Sequence, residues 1–195
     1  MGKFRYEKKS DAFIFYEGNE CIKTWNGIDL KTKSPIIADE LIKDLKKFGA
    51  DPTNPLSLAA YVYPLLDFFE RMPKDDSIRS IEIGLNSYND WTLDCPTADP
   101  HILMNWWGVF GKPDIQIENG KEWLHKLELH QLCAVTIIGR SLESVNIPFL
   151  LDTIYRGKST DGFIDTILKF YPYVSKRELK DYFKKFYMYF DHELS

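Results

Sequence analysis

The pattern of hydrophobic and polar positions changes from strand-like to helix-like about thirty residues into the chain. Short runs of β-forming residues occupy positions 4–6, 12–16 and 21–22. Turn-forming residues, including Gly18 and the Asn-Gly pair that ends at Gly27, separate and follow these runs. This arrangement predicts hairpin strands at the start of the chain.

Helical spacing begins directly after this segment. Ser34 is a favourable N-cap, and the following Pro35 suits the first position of a helix. Apolar residues then recur at intervals of three or four up to Phe48, and Gly49 predicts a left-handed cap at the helix end. A second helix is predicted to open at Pro55, with a kink or break at Pro64.

The remainder of the chain has helical patterns throughout, and Gly111 marks the best candidate for a domain boundary. The sequence therefore predicts an α+β fold, with a small β-containing N-terminal domain (1–111) and an all-helical C-terminal domain (112–195). A capping box, Ser175 with Glu178, is predicted to start the last helix. Its apolar face and its lysines occupy different sides.

Composition narrows the possible functions. The net charge of −4 argues against a nucleic-acid partner, and three widely spaced cysteines favour a reducing compartment. No apolar run reaches the roughly 18 residues of a membrane span. No signal-peptide core stands at the start.

Candidate chemistry is sparse. Of His125, His130 and Cys133, only the last two have the spacing of neighbours on a helix, so a metal site is not predicted. No nucleophile elbow or phosphate-binding loop occurs, which indicates a non-enzymatic protein without catalytic residues, metal or cofactor. The adjacent Trp106 and Trp107 cannot both face one core, so at least one is expected at a domain seam or a binding surface.

The C-terminal helices also permit a different hypothesis. A helix, a short turn at Pro172 and a capped, lysine-containing helix have the outline of a helix-turn-helix, with Lys176, Lys180 and Lys184 on the second helix. A DNA-binding or antitoxin-like protein is therefore one alternative. The negative net charge weighs against it.

An ordered set of residues in the first half resembles one family. The set runs from Ile22-Lys23-Thr24 through a Gly turn and the Ser34 cap to Pro55-Leu56-Ser57 and Asp67, and then to Asp90, Pro100 and a Trp at 106 or 107. The family comprises the chaperones that hold the α subunit while the catalytic head of F-type ATP synthase is assembled. One departure is Trp25, which stands where the family has proline.

The resemblance implies a partner and a location. It implies a chaperone-like protein that binds the ATP synthase α subunit, in the mitochondrial matrix or the bacterial cytoplasm. A structural subunit of a larger complex, for example a mitochondrial one, is a further alternative. The residues expected to contact the partner are Trp106, Trp107, Pro55, Leu56, Asp67 and Asp90.

Overall fold

The computed structural model confirms the α+β class. It describes residues 3–79, 81, 123–141, 154, 161–162, 164–165, 168 and 175–193. For residues 139–141 it describes the backbone alone. Among these residues, four strands come first and the helices follow. The predicted domain boundary at Gly111 lies outside the described residues and stays a prediction.

An antiparallel sheet forms the start of the chain. Strands β1 (Phe4–Lys9) and β2 (Ala12–Glu17) make a hairpin in which Tyr6 lies opposite Phe15. Short strands β3 (Glu20–Cys21) and β4 (Lys31–Thr32) both pair with β2. The predicted hairpin strands are therefore confirmed, and β2 is the strand that all the others contact.

A tight turn between β3 and β4 carries Trp25 and Asn26. The Thr24 N–H donates to the Ile28 carbonyl at 2.8 Å, and the Gly27 N–H donates to the Thr24 carbonyl at 3.0 Å. Gly27 has a φ of 75°, a conformation that glycine adopts without steric cost. The turn predicted from Asn-Gly is confirmed.

Helix α1 (Pro35–Phe48) begins as predicted. The Ser34 hydroxyl oxygen accepts a hydrogen bond from the Ile37 N–H at 3.3 Å, which satisfies one of the donors left free at a helix start. The helix ends at Gly49, whose φ is 75° but whose ψ is −173°. Gly49 therefore has the positive φ expected of a glycine at a helix end. Its ψ lies outside the left-handed helical region, so the predicted left-handed cap is wrong.

Helix α2 (Ala59–Asp67) starts four residues later than predicted, because residues 55–58 form a turn with other hydrogen-bond partners. The Asn54 Oδ1 accepts from the Leu56 N–H at 3.0 Å, and Asp44 on α1 accepts from the Leu58 N–H at 2.8 Å. The helix continues through Pro64, so the alternative of a break is wrong. Every residue of α2 is buried.

Two more helices are described over their length, α3 (Leu129–Ser141) and α4 (Lys176–His192). The chain divides into two compact units. The first unit contains Met1–Lys74, Glu128–Ile138 and Lys184–Ser195, and the second contains Asp75–Leu127 and Gly139–Phe183. The first unit is therefore built from three separate stretches of chain.

The core of the first unit has α2 at its centre. The Tyr61 ring stacks on Tyr189 of α4, with centroids 5.3 Å apart, and both side chains are buried. The Cys133 thiol of α3 donates to the Tyr61 carbonyl at 3.5 Å. Side chains from all three stretches thus meet around one residue of α2.

In the second unit, the predicted capping box at the start of α4 is observed in part. The Glu178 N–H donates to the Ser175 hydroxyl oxygen at 3.4 Å, as predicted. The Glu178 carboxylate accepts from the Tyr182 hydroxyl at 2.9 Å, one turn further along the helix. Within the described part of the chain, no helix is long and apolar enough to cross a membrane.

Candidate functional site

An exposed apolar surface lies beside the end of α2. Among the described residues, the large apolar side chains that remain most exposed are Trp25 (56%), Ile36 (49%), Phe68 (47%) and Met72 (37%). The rings of Trp25 and Phe68 have centroids 6.3 Å apart, and the Met72 N–H donates to the Phe68 carbonyl at 3.0 Å. Trp25, Phe68 and Met72 are called the Trp25 surface below.

A buried aromatic ring packs against Trp25. It meets Tyr63 of α2 edge to face, with centroids 5.7 Å apart and an interplanar angle of 72°. Tyr63 is itself buried in the core of the first unit. The indole therefore has one side fixed against α2 and more than half of its surface open to solvent.

Asp67, the last residue of α2, holds the turn that carries Trp25. Its Oδ1 accepts a hydrogen bond from the Thr24 hydroxyl at 2.5 Å, and its backbone carbonyl accepts one from the Asn26 amide at 3.3 Å. The Thr24 oxygen also accepts from the Ile28 N–H at 3.2 Å. The residues on both sides of Trp25 are thus tied to one buried position.

The second oxygen of the Asp67 carboxylate makes no hydrogen bond among the described residues. Asp67 is 2% exposed, and its Oδ2 has no hydrogen-bond partner among the described residues. Buried polar atoms are nearly always paired, and this oxygen is one of four buried side-chain atoms without a hydrogen-bond partner among the described residues. Asp67, predicted to contact the partner, lies behind the Trp25 surface and positions it.

Two carboxylates, those of Asp51 and Asp67, lie near the Tyr63 ring that contacts Trp25. Burial raises the pKa of Tyr63 to about 12, and the carboxylates of Asp67 and Asp51 add to this increase. Hydrogen bonds from the Thr53 side chain and backbone N–H lower the pKa of Asp51, which keeps this exposed group ionised. Burial and these nearby carboxylates therefore keep the Tyr63 hydroxyl protonated.

The other predicted contact residues have different positions. Pro55 and Leu56 are half-buried in the turn before α2, whereas the Trp25 surface flanks the opposite end of that helix. A helix of nine residues separates these places by about 13 Å. Trp106, Trp107 and Asp90 lie outside the described residues.

The histidine and cysteine singled out in the sequence belong to the core of the first unit. His130 Nε2 lies 3.2 Å from the Phe190 carbonyl oxygen, and burial lowers the pKa of His130. The neighbouring Cys133 donates to a carbonyl of α2. No group of three or more metal-binding side chains occurs within the described ranges.

Two of the three lysines considered for nucleic-acid binding make ion pairs within the second unit. Lys176 Nζ lies 2.5 Å from Asp165 Oδ1, and Lys180 Nζ lies 2.9 Å from Asp161 Oδ1. These carboxylates reduce the positive potential that the phosphate backbone of DNA requires. Lys184 is exposed.

Trp25 and Phe68 are the residues that sequence reasoning missed as a site. Trp25 was noticeable only as a departure from the family's proline, although a tryptophan beside an Asn-Gly turn has few ways to be buried. No protein-family model, curated protein sequence or solved structure matches this chain.

Proposed function

We propose that this chain is a non-enzymatic protein-binding module that uses the Trp25 surface to cover an apolar part of a partner. The observation that carries the proposal is a tryptophan that is 56% exposed yet fixed by five hydrogen bonds around its turn. Tryptophan is enriched among the residues that dominate binding energy at interfaces. A preordered ring also loses little conformational freedom on binding.

The size of the surface favours reversible binding. With roughly 200 Å² for each large side chain, the exposed fractions of its three residues amount to roughly 300 Å². At about 25 cal/mol per Å², complete burial contributes about 7 kcal/mol before the costs of association are subtracted. A stable complex typically buries about 800 Å² on each partner, so this surface alone suits a transient complex.

A transient apolar contact is what an assembly factor requires. Subunits that await their partners expose apolar surface and self-associate, and a protein that covers such surface prevents this. No nucleotide is needed, because preferential binding to the unassembled state is sufficient. The family resemblance makes the α subunit of F-type ATP synthase the proposed partner, in the mitochondrial matrix or the bacterial cytoplasm.

Affinity purification from the native host tests the proposal. Tagged wild-type chain is compared with Trp25→Ala and with the matched control Ile36→Ala, which shortens a similarly exposed apolar side chain at the start of α1. We expect the α subunit to be recovered with the wild type and the control and to be depleted with Trp25→Ala. Equal recovery with Trp25→Ala would refute the surface, and absence of every ATP synthase subunit would refute the partner.

The alternative, a structural subunit of a larger complex, predicts a different set of co-purified proteins. A permanent subunit would be recovered with a complete complex at fixed stoichiometry, whereas an assembly factor would be recovered with free subunit. Size-exclusion chromatography of the purified material separates these two outcomes. A surface of roughly 300 Å² favours the assembly factor, because permanent interfaces are several times larger.

A further inference from the structure

The end of α4 is held on the first unit by buried polar groups. Residues 184–193, which belong to that unit, are called the C-terminal strap below. The Thr32 hydroxyl oxygen lies 2.7 and 2.8 Å from the two carboxylate oxygens of Glu193, and both side chains are buried. The Phe190 carbonyl oxygen lies 3.2 Å from Nε2 of His130 on α3, which is also buried. The attachment of the strap therefore depends on groups whose charge changes with pH.

His130 has an incomplete set of hydrogen bonds at this contact. A carbonyl oxygen can only accept, so the contact with Phe190 requires a proton on Nε2 of the imidazole. The other ring nitrogen, Nδ1, is buried and has no hydrogen-bond partner among the described residues. A neutral imidazole with one N–H therefore fits the site. A protonated imidazole would place a second N–H and a positive charge where none of the described residues accepts them.

Several titratable groups surround His130 and the neighbouring Tyr189, whose ring centroid lies 6.3 Å from that of the imidazole. They are Glu128 and Cys133 on α3, Tyr61 on α2, Glu70 in the helical turn after α2, and Glu193 on the strap. Burial raises the pKa of Tyr189 well above its ordinary value, so its hydroxyl is uncharged. Burial also lowers the pKa of His130 and outweighs the opposing effects of the Phe190 carbonyl and the Glu128 charge. The attached strap therefore favours the neutral imidazole.

We propose that the C-terminal strap is attached in a pH-dependent way and that protonation of His130 favours its detachment. This inference does not depend on the proposed function. In the detached state, water accepts both N–H groups of the imidazolium, whereas the described residues of the attached state offer an acceptor to one of them. Detachment takes up one proton, so its equilibrium constant increases by up to about tenfold for each pH unit below 6.5, the ordinary pKa of histidine. Attachment is accordingly strongest above pH 6.5 and weakens as the pH falls.

Native-state hydrogen exchange of the full chain at pH 7.5 and pH 5.5 tests the inference. Protection factors, corrected for the intrinsic exchange rate at each pH, give the opening constant of each amide. We expect the opening constant of the strap amides to be at least about threefold larger at pH 5.5. Glu40, which also contacts the strap, has a pKa below 4.5 and stays ionised in this range. We also expect the strap amides to be less protected than the Phe15 amide of β2, because the strap detaches without global unfolding.

A histidine variant and a matched control assign the effect. His130→Gln retains an amide donor for the Phe190 carbonyl and does not titrate in this range, so its strap amides should open to the same extent at both pH values. His125→Gln replaces an exposed histidine of the preceding segment and should keep the wild-type response. A pH response that persists in His130→Gln would overturn the inference. Equal protection of the strap and of β2 would do the same.

A measurement on the wild type keeps the inference testable if His130→Gln does not fold. Imidazole ¹⁵N resonances, followed as a function of pH, report which ring nitrogen of His130 carries the proton and where the ring titrates. We expect the proton on Nε2 at pH 7.5 and titration below pH 6.5. A proton on Nδ1, or titration at or above pH 6.5, would contradict the proposed role of His130.

Discussion

Replacement of Lys185 by methionine tests how the last helix is attached to the rest of the first unit. The Lys185 Nζ lies 2.6 and 2.8 Å from the two carboxylate oxygens of Asp44 and 2.9 Å from Glu40 Oε1. The Lys185 side chain is 14% exposed and that of Asp44 is 5% exposed. Asp44 also accepts the Leu58 N–H, so one ion cluster joins α4, α1 and the turn before α2.

The expected loss follows from the burial of this cluster. Removal of one partner from a buried ion pair typically costs 3–5 kcal/mol, because the other charge remains buried and unpaired. Glu40 is 23% exposed and is partly solvated, and methionine preserves most of the packing of the lysine stem. We therefore expect Lys185→Met to lower the free energy of unfolding by about 2–4 kcal/mol, a large share of the 5–15 kcal/mol typical of a domain.

Urea unfolding followed by circular dichroism at 222 nm measures the effect. Lys180→Met is the matched control: both partners of its ion pair with Asp161 are exposed, so its loss is expected to leave the free energy of unfolding close to that of the wild type. A double-mutant cycle with Asp44→Asn isolates the coupling between the two charges. A Lys185→Met variant within about 0.5 kcal/mol of wild type would refute the attachment described here.

Three further predictions concern the start of α1, the turn that carries Trp25, and Glu40. Ser34→Ala removes the α1 cap and is expected to cost about 1 kcal/mol by thermal unfolding; a loss near zero would contradict the cap. Thr24→Val leaves Asp67 Oδ1 unpaired and is expected to lower the free energy of unfolding by about 1–3 kcal/mol. It is also expected to broaden the Trp25 indole resonance, whereas the control Thr53→Val changes neither quantity. Burial raises the pKa of Glu40, but hydrogen bonds from Lys185 and Lys43 outweigh it and hold this pKa below its ordinary 4.5. Its contribution to stability is therefore complete above pH 4.5 and is lost as the pH falls through the folded value, so Glu40→Gln should flatten urea-measured stability in that acidic range.

Local signals in the sequence account for strands β1, β2 and β3, for the turns at Gly18 and Gly27, and for the start of α1. Ser34 and Pro35 determine where that helix begins, because the cap bond is made three residues away. Gly18 and Gly27 mark turns that need a positive φ. Each of these features depends on neighbours in the chain and was therefore predictable from the sequence.

The features that were not predicted depend on distant residues. The start of α2 moved from Pro55 because Asp44, fourteen residues before Leu58, binds the Leu58 N–H. Lys184–Ser195 belongs to the first unit, and the ion pair of Lys185 with Asp44 of α1 joins residues 141 positions apart that no local pattern connects. Trp25 is a candidate site because Asp67 of α2, more than forty residues later in the chain, binds Thr24 and Asn26 on either side of it.

We propose that the Trp25 surface binds an apolar part of the unassembled α subunit. Calorimetric titration of the full chain with isolated α subunit, for wild type, Trp25→Ala and Ile36→Ala, measures this binding. Truncation of an interface anchor costs at least about 2 kcal/mol, so we expect Trp25→Ala to weaken binding about thirtyfold or more and Ile36→Ala to change it less than threefold. Equal affinities for wild type and Trp25→Ala would contradict the claim.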